Sequence, residues 1–135
     1  STRVMDKALM DRFIIVEMDV LNDEEEFGLL QYMFPNVNAS LLQAVSEISH
    51  LSRTEAKLDS GKLSTGISTR TSVEMAGLLF DGFGLDEAAE VTIYPQYIDD
   101  GVDSERTFVK QLVQKYINDG SDDNLFNESE DSPLV

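Results

Sequence analysis

The stretch Phe13-Ile14-Ile15-Val16-Glu17-Met18-Asp19-Val20 constrains the fold more than any other part of this sequence. It is rich in β-branched residues, apolar at first and alternating later, as a strand buried on at least one face would be. No second run of that kind follows. A lone strand leaves its backbone N–H and C=O groups without ladder partners. The strand is therefore expected to complete a sheet supplied by other chain. The opening at Ser1, without a Met, points the same way, to a processed chain or a fragment of a longer one.

Most of the rest reads as helix, with Lys62 to Ile67 a loop or a short extended piece. Met5, Leu9 and Phe13 fall four residues apart, predicting a short amphipathic helix that ends near Arg12. Asn22 or Asp23 caps the next, with Phe27, Leu30 and Phe34 on one face and Pro35 as its stop. Asn38 or Ser40 opens a third, with Leu41, Leu42, Val45, Ile48 and Leu51 at helical spacing, running to about Leu58 before Asp59-Ser60-Gly61 breaks it. Ser68 or Thr71 caps a fourth. Thr71-x-x-Glu74 matches a capping box, and Val73, Ala76, Gly77 and Phe80 form the expected stripe up to Gly82-Phe83-Gly84. Leu85 to Val91 continues toward Tyr94 and stops at Pro95. Asp103 or Ser104 opens a last helix with Val109, Leu112, Val113, Tyr116 and Ile117 inward. Asn118 to Val135 has six acidic residues and no basic ones, the composition of a disordered tail.

Composition removes several function classes. The 135 residues carry 26 acidic and 10 basic side chains, a formal charge of −16, which opposes any broad phosphate-neutralising surface for nucleic acid and disfavours an anionic membrane. Without Cys there is no thiolate nucleophile and no Cys-based metal site; with one histidine, His50, a two-His zinc site is impossible. No apolar run approaches the roughly 20 residues needed to cross a bilayer. The expectation is a cytoplasmic protein with no membrane partner.

Among motifs, Gly61-Lys62 invites comparison with a P-loop, but Leu63 replaces the magnesium-binding hydroxyl and Ala56 stands where the first Gly belongs. It reads as an ordinary helix C-terminal glycine. The acids Asp23 to Glu26 lack the alternating spacing and Gly of a calcium loop and read as charge at the positive end of a helix dipole. His50 reads as a surface or boundary residue, and Tyr94-Pro95-Gln96-Tyr97 as a packing corner. Two arginines stand out because each sits at the edge of an element, where a scaffold can aim a guanidinium at phosphate oxygens. Arg12 lies at a helix–strand junction, and Arg70 lies at a helix N-terminus whose dipole also favours an anion.

The contexts of these arginines carry a resemblance over about Val4 to Tyr116. Ala8-Leu9-Met10-Asp11-Arg12-Phe13, followed by the apolar strand and the acidic helix start at Asp23-Glu24-Glu25-Glu26, resembles the end of the ATPase core in AAA+ proteins of the MoxR and cobaltochelatase CobS type. Ile67-Ser68-Thr69-Arg70-Thr71, about sixty residues later, is similar to the start of the sensor-2 helix in the same family's lid. The resemblance implies a mainly α fold, a linker helix and helical lid bundle (21–117) preceded by the last helix and strand of the core (1–20) and followed by an acidic disordered tail (118–135). It implies that Arg12 is an arginine finger acting in trans and Arg70 the sensor-2 residue, with Thr69 and Thr71 beside it at the nucleotide. It further implies ATP and Mg²⁺ in the complete protein, a homo-oligomeric ring and a protein substrate or adaptor. Walker A, Walker B and sensor 1 are missing from this sequence, so the segment is expected to be inactive alone and to hold no cofactor by itself. The competing expectation is a non-enzymatic acidic helical module that binds a basic protein surface.

Overall fold

The computed structural model describes residues 21–117. The predicted Met5–Arg12 helix, the strand from Phe13, Arg12 itself and the acidic tail lie outside the described residues. Those described form a mainly helical bundle: α1 (Asp23–Met33), α2 (Ala39–Lys57), α3 (Thr69–Phe80), α4 (Leu85–Thr92), a 3-10 turn (Tyr94–Gln96) and α5 (105–117), with no strand among them. α1 packs on α2, α2 on α3, and α3 on α4.

The boundaries follow from local chemistry. Asn22 accepts from the Glu25 N–H at 2.8 Å while the Glu25 carboxylate accepts from the Asn22 N–H at 3.0 Å, a reciprocal capping box. Phe34, the residue before Pro35, leaves helical geometry and ends α1. Asn38 caps α2 through Ser40, and Ser104 accepts from the Thr107 N–H at 3.1 Å at the start of α5. α3 begins earlier than its capping-box motif suggests. Ser68 is the cap and accepts from the Thr71 N–H at 3.2 Å, so Thr71 stands at the third helical position instead of before the helix. Pro95 also acts differently from a simple stop: it is accommodated inside the 3-10 turn, whose Tyr94 carbonyl accepts from the Tyr97 N–H.

The core gathers Leu30, Leu42, Val45, Ile48, Ile67, Met75, Ala76, Ile93, Val109 and Val113, all fully buried. The predicted α3 stripe is rotated, and on α2 the predicted Leu42, Val45 and Ile48 are fully buried with Leu51 as the departure. On α3 the inward residues are Ser72, Met75, Ala76 and Leu79, whereas Phe80 is exposed and Val73 only half-buried. On α2 Leu51 is exposed, and Ser49 and Ser52 take the inward positions beside Ile48. The reason is a polar seam between α2 and α3. The Ser49 and Ser72 hydroxyls meet at 2.5 Å, Ser52 Oγ accepts from the Ile67 N–H at 2.8 Å and donates to the Ser49 carbonyl, and Ser72 reaches the Ser68 carbonyl. Small hydroxylic residues let the two backbones approach while pairing the polar groups that this burial takes from water.

Gly66 shows how close that approach is. A Cβ at this position would lie 2.7 Å from Arg53 Cα in α2. The loop is tied at its other side as well: Glu105 accepts from the Ser64 N–H at 2.7 Å, and the Tyr97 hydroxyl donates to the Thr65 carbonyl at 2.9 Å. The loop between α2 and α3 is therefore fixed by α2, α5 and the 3-10 corner together, and it delivers the start of α3 to a defined place.

Two outcomes follow from this packing. Met75→Ala should destabilise by ~2–5 kcal/mol and Phe80→Ala by only about 1 kcal/mol, the scale of its ring pair with Phe34; urea unfolding of the two variants checks the rotated stripe. Burial, followed by the Glu105 charge, pushes the Tyr97 hydroxyl up to about 12 from its ordinary 10.0. Burial beside Asp86 raises Tyr94 as well. A raised tyrosine favours the folded state fully below pH 10, and the advantage is lost as pH rises from there through the folded value. The urea midpoint should fall between pH 10 and 12, and less steeply in Tyr97→Phe.

Candidate functional site

Arg70 is the second residue of α3, immediately after Thr69 and before Thr71. Its neighbours are buried, with Thr69 at 1% and Thr71 at 5% exposure, while Arg70 itself is exposed. Among the described residues it forms no ion pair and no hydrogen bond through its guanidinium. In a chain with a formal charge of −16, an arginine without a carboxylate partner at a helix N-terminus makes a local positive point, where the dipole and the guanidinium add. A guanidinium presents a planar fork of donors suited to phosphate or carboxylate oxygens.

The turn that carries Arg70 is held from inside. The Thr69 hydroxyl donates to Glu26 Oε1 at 3.1 Å, and Arg53 pairs with the same oxygen. Arg53 also donates through Nε to the Ile67 carbonyl at 2.9 Å. α1, α2 and the start of α3 thus meet at a single carboxylate oxygen. Thr71 is engaged on the other side, where its hydroxyl accepts from the Gln96 amide at 3.1 Å and lies 3.1 Å from Ser68 Oγ. Both threonine hydroxyls are bonded within the bundle, which places Thr69 and Thr71 behind Arg70. Arg12, the other predicted site residue, lies outside the described residues.

Glu26 departs from the reading of the acidic run as charge at a helix N-terminus. Glu25 serves the capping box and the Asp23 carboxylate accepts from the Glu24 N–H, but Glu26 is completely buried. Its position carried a signal. It stands four residues before Leu30, on the inward face of α1, where a carboxylate requires a buried partner. Nothing in the sequence named Arg53 as that partner, 27 residues away.

The remaining candidates separate cleanly. The backbone N–H of Lys62, in the rejected Gly61-Lys62 pair, donates to the Glu55 carboxylate at 2.7 Å. His50 is half-buried on α2 at a small depression with Asp23, Glu47, Leu51 and Tyr116. Tyr94 and Tyr97 are both buried, so the Tyr94–Tyr97 segment is a packing corner. A groove of about 440 Å³ runs along Asp86, Glu90, Tyr94, Arg106 and Lys110, with the Lys110 ammonium 5.5 Å from the Tyr94 ring centre. No helix of the described residues is long and apolar enough to cross a membrane.

Removing one partner of the buried pair should be costly, because the other charge is left uncompensated. Glu26→Ala is expected to destabilise by ~3–5 kcal/mol, with Glu26→Leu/Arg53→Met recovering most of the loss; thermal or chemical unfolding of the three proteins checks it.

The family model of the CbbQ/NirQ/NorQ C-terminal domain matches residues 35–116, from the turn after α1 to the end of α5, and includes Arg53, Thr69 and Arg70. No curated protein matches the chain. The matched stretch is well over half of the sequence, and its helical architecture is that of a lid bundle. The chain belongs to the CbbQ/NirQ/NorQ C-terminal family, part of the MoxR-like AAA+ ATPases, and forms an AAA+ lid segment.

Proposed function

We propose that this lid acts in an oligomeric ring ATPase that remodels a protein partner, with Arg70 as the sensor-2 residue toward the γ-phosphate of ATP. The observation that carries the reading is the exposed Arg70 guanidinium, without an ion-pair partner among the described residues, on a helix start fixed from behind by Thr69, Glu26 and Arg53. Arg12, from the Leu-x-Asp-Arg-Phe stretch, is the arginine finger reaching the nucleotide of a neighbouring subunit.

The residues described here fit a phosphate and do not supply a magnesium cradle. ATP and Mg²⁺ are held by an ATPase core joined to this segment, and the bound nucleotide supplies the phosphoryl group that is transferred. Arg70 contributes donors and positive charge toward that group. Ser68 fixes the cap, and Thr69 and Thr71 contribute indirectly by bonding inside the bundle. An arginine held this way stabilises charge that builds on the transferring phosphoryl oxygens without having to reorganise at the moment of reaction. Rotation of the lid against a core then ties the reach of Arg70 to the nucleotide state, which is how such a module turns hydrolysis into movement of a bound protein.

The test uses protein that includes the ATPase core. Arg70→Ala is expected to lower ATP turnover at least about tenfold, and Arg12→Ala by up to ~10³–10⁵, the range for arginine fingers. Because a finger acts in trans, mixing Arg12→Ala subunits with core-defective subunits should restore turnover. Full turnover in both single variants would refute the assignment.

A further inference from the structure

We infer that Glu26 is a positioning residue for Arg70: through its Oε1 it fixes the first turn of α3 relative to α1 and α2, and so sets where the guanidinium is held. This inference rests on the sensor-2 reading of Arg70. Glu26 lies on α1, 44 positions before Arg70 and outside the family-matched stretch.

The argument starts from the bonding of one carboxylate. Glu26 is completely buried, and its Oε1 takes both the Thr69 hydroxyl and Arg53, while Oε2 has no hydrogen-bond partner among the described residues. A buried carboxylate used only to neutralise Arg53 gains most by presenting both oxygens to the guanidinium fork. Here one oxygen is shared between the ion pair and the first residue of α3. Arg53 reinforces the same turn from the other side, since its Nε donates to the Ile67 carbonyl two residues before Thr69. One branch therefore ends on the Thr69 side chain and the other on the Ile67 carbonyl, both in the segment that leads into Arg70.

Position then follows from adjacency. Thr69 and Arg70 are consecutive residues of one helical turn, about 100° apart around the axis. With Thr69 held inward, Arg70 is held outward. An arginine side chain has large rotamer entropy, and a helix start free to fray adds backbone freedom to it. Fixing the backbone restricts the volume the guanidinium samples, and misplacement by about 1 Å can cost on the order of 10²-fold at a reacting group.

Thr69→Val isolates the effect, because it is nearly isosteric and cuts only the tie between α1 and α3, leaving the Glu26–Arg53 pair in place. In the protein with its ATPase core, affinities for ADP and for a non-hydrolysable ATP analogue are measured for the parent, Thr69→Val, Thr69→Ser, Glu26→Gln and Arg70→Ala. Thr69→Val should weaken the analogue roughly fivefold or more with ADP nearly unchanged. Thr69→Ser, which keeps the hydroxyl, should restore the parent ratio, and Glu26→Gln should fall between. The double variant Thr69→Val/Arg70→Ala should be no worse than Arg70→Ala alone, the signature of two residues acting through one contact. Thr69→Ala is run in parallel in case the valine variant does not fold. An unchanged ratio in Thr69→Val while Arg70→Ala alters it overturns the positioning role and leaves sensor 2 standing. An unchanged ratio in Arg70→Ala overturns the sensor-2 reading itself. Equal losses for both nucleotides in Thr69→Val would mark a merely structural role and also overturn the inference.

Discussion

The bond between Glu26 and Arg53 is the interaction on which the arrangement of this bundle turns. A carboxylate with no exposure is stable in an apolar setting only when a cation and hydrogen bonds replace the water it has lost. That requirement is directional, unlike the contacts of Leu30, Leu42 and Ile48 around it. Apolar packing of these helices would tolerate small rotations at little cost. The carboxylate does not, because Arg53 and Thr69 must reach the same oxygen from two different helices. A buried ion pair of this kind contributes little net stability against a well-packed apolar replacement, but it admits only arrangements in which both partners reach the carboxylate.

Much of the bundle was legible in the sequence because its helix boundaries are set locally. Asn22, Asn38, Ser68 and Ser104 each cap through a side chain within three residues, and Pro35 enforces its break by steric exclusion. Arg70 was legible for the same reason: the Ser68-Thr69-Arg70 order announces a helix start, and the structure leaves that arginine exposed. The inward faces of α2 and α3 were harder to read. A pattern that counts only apolar residues passes over Ser49, Ser52 and Ser72, which are buried because their hydroxyls satisfy one another and the Ile67 backbone. The same blindness affects Glu26. Its charge argued for the surface, whereas its register with Leu30 argued for the core, and only the partner on α2 decides between them.

The helical corner at Tyr94 to Tyr97 shows a third kind of information. Pro95 was legible as a breaker, but the structure uses it inside a 3-10 turn that buries both tyrosines and presents Gln96 to Thr71. The corner therefore supports the α3 start from the side opposite Glu26. Thr69 is held by α1 and α2, Thr71 by the segment after α4, and the exposed residue between them inherits both restraints.

The serine seam between α2 and α3 has a mechanical consequence. Sliding one helix past the other by a single residue moves it about 1.5 Å, enough to break the Ser49–Ser72 and Ser52–Ile67 bonds together and leave the Ser49 hydroxyl and the Ile67 amide unpaired, at about 1–3 kcal/mol for each group. Shear between α2 and α3 is therefore resisted by paired polar groups as well as by apolar packing. The seam therefore locks α2 and α3 into one axial register, and with it the height at which the first turn of α3, and Arg70 on it, stands along α2.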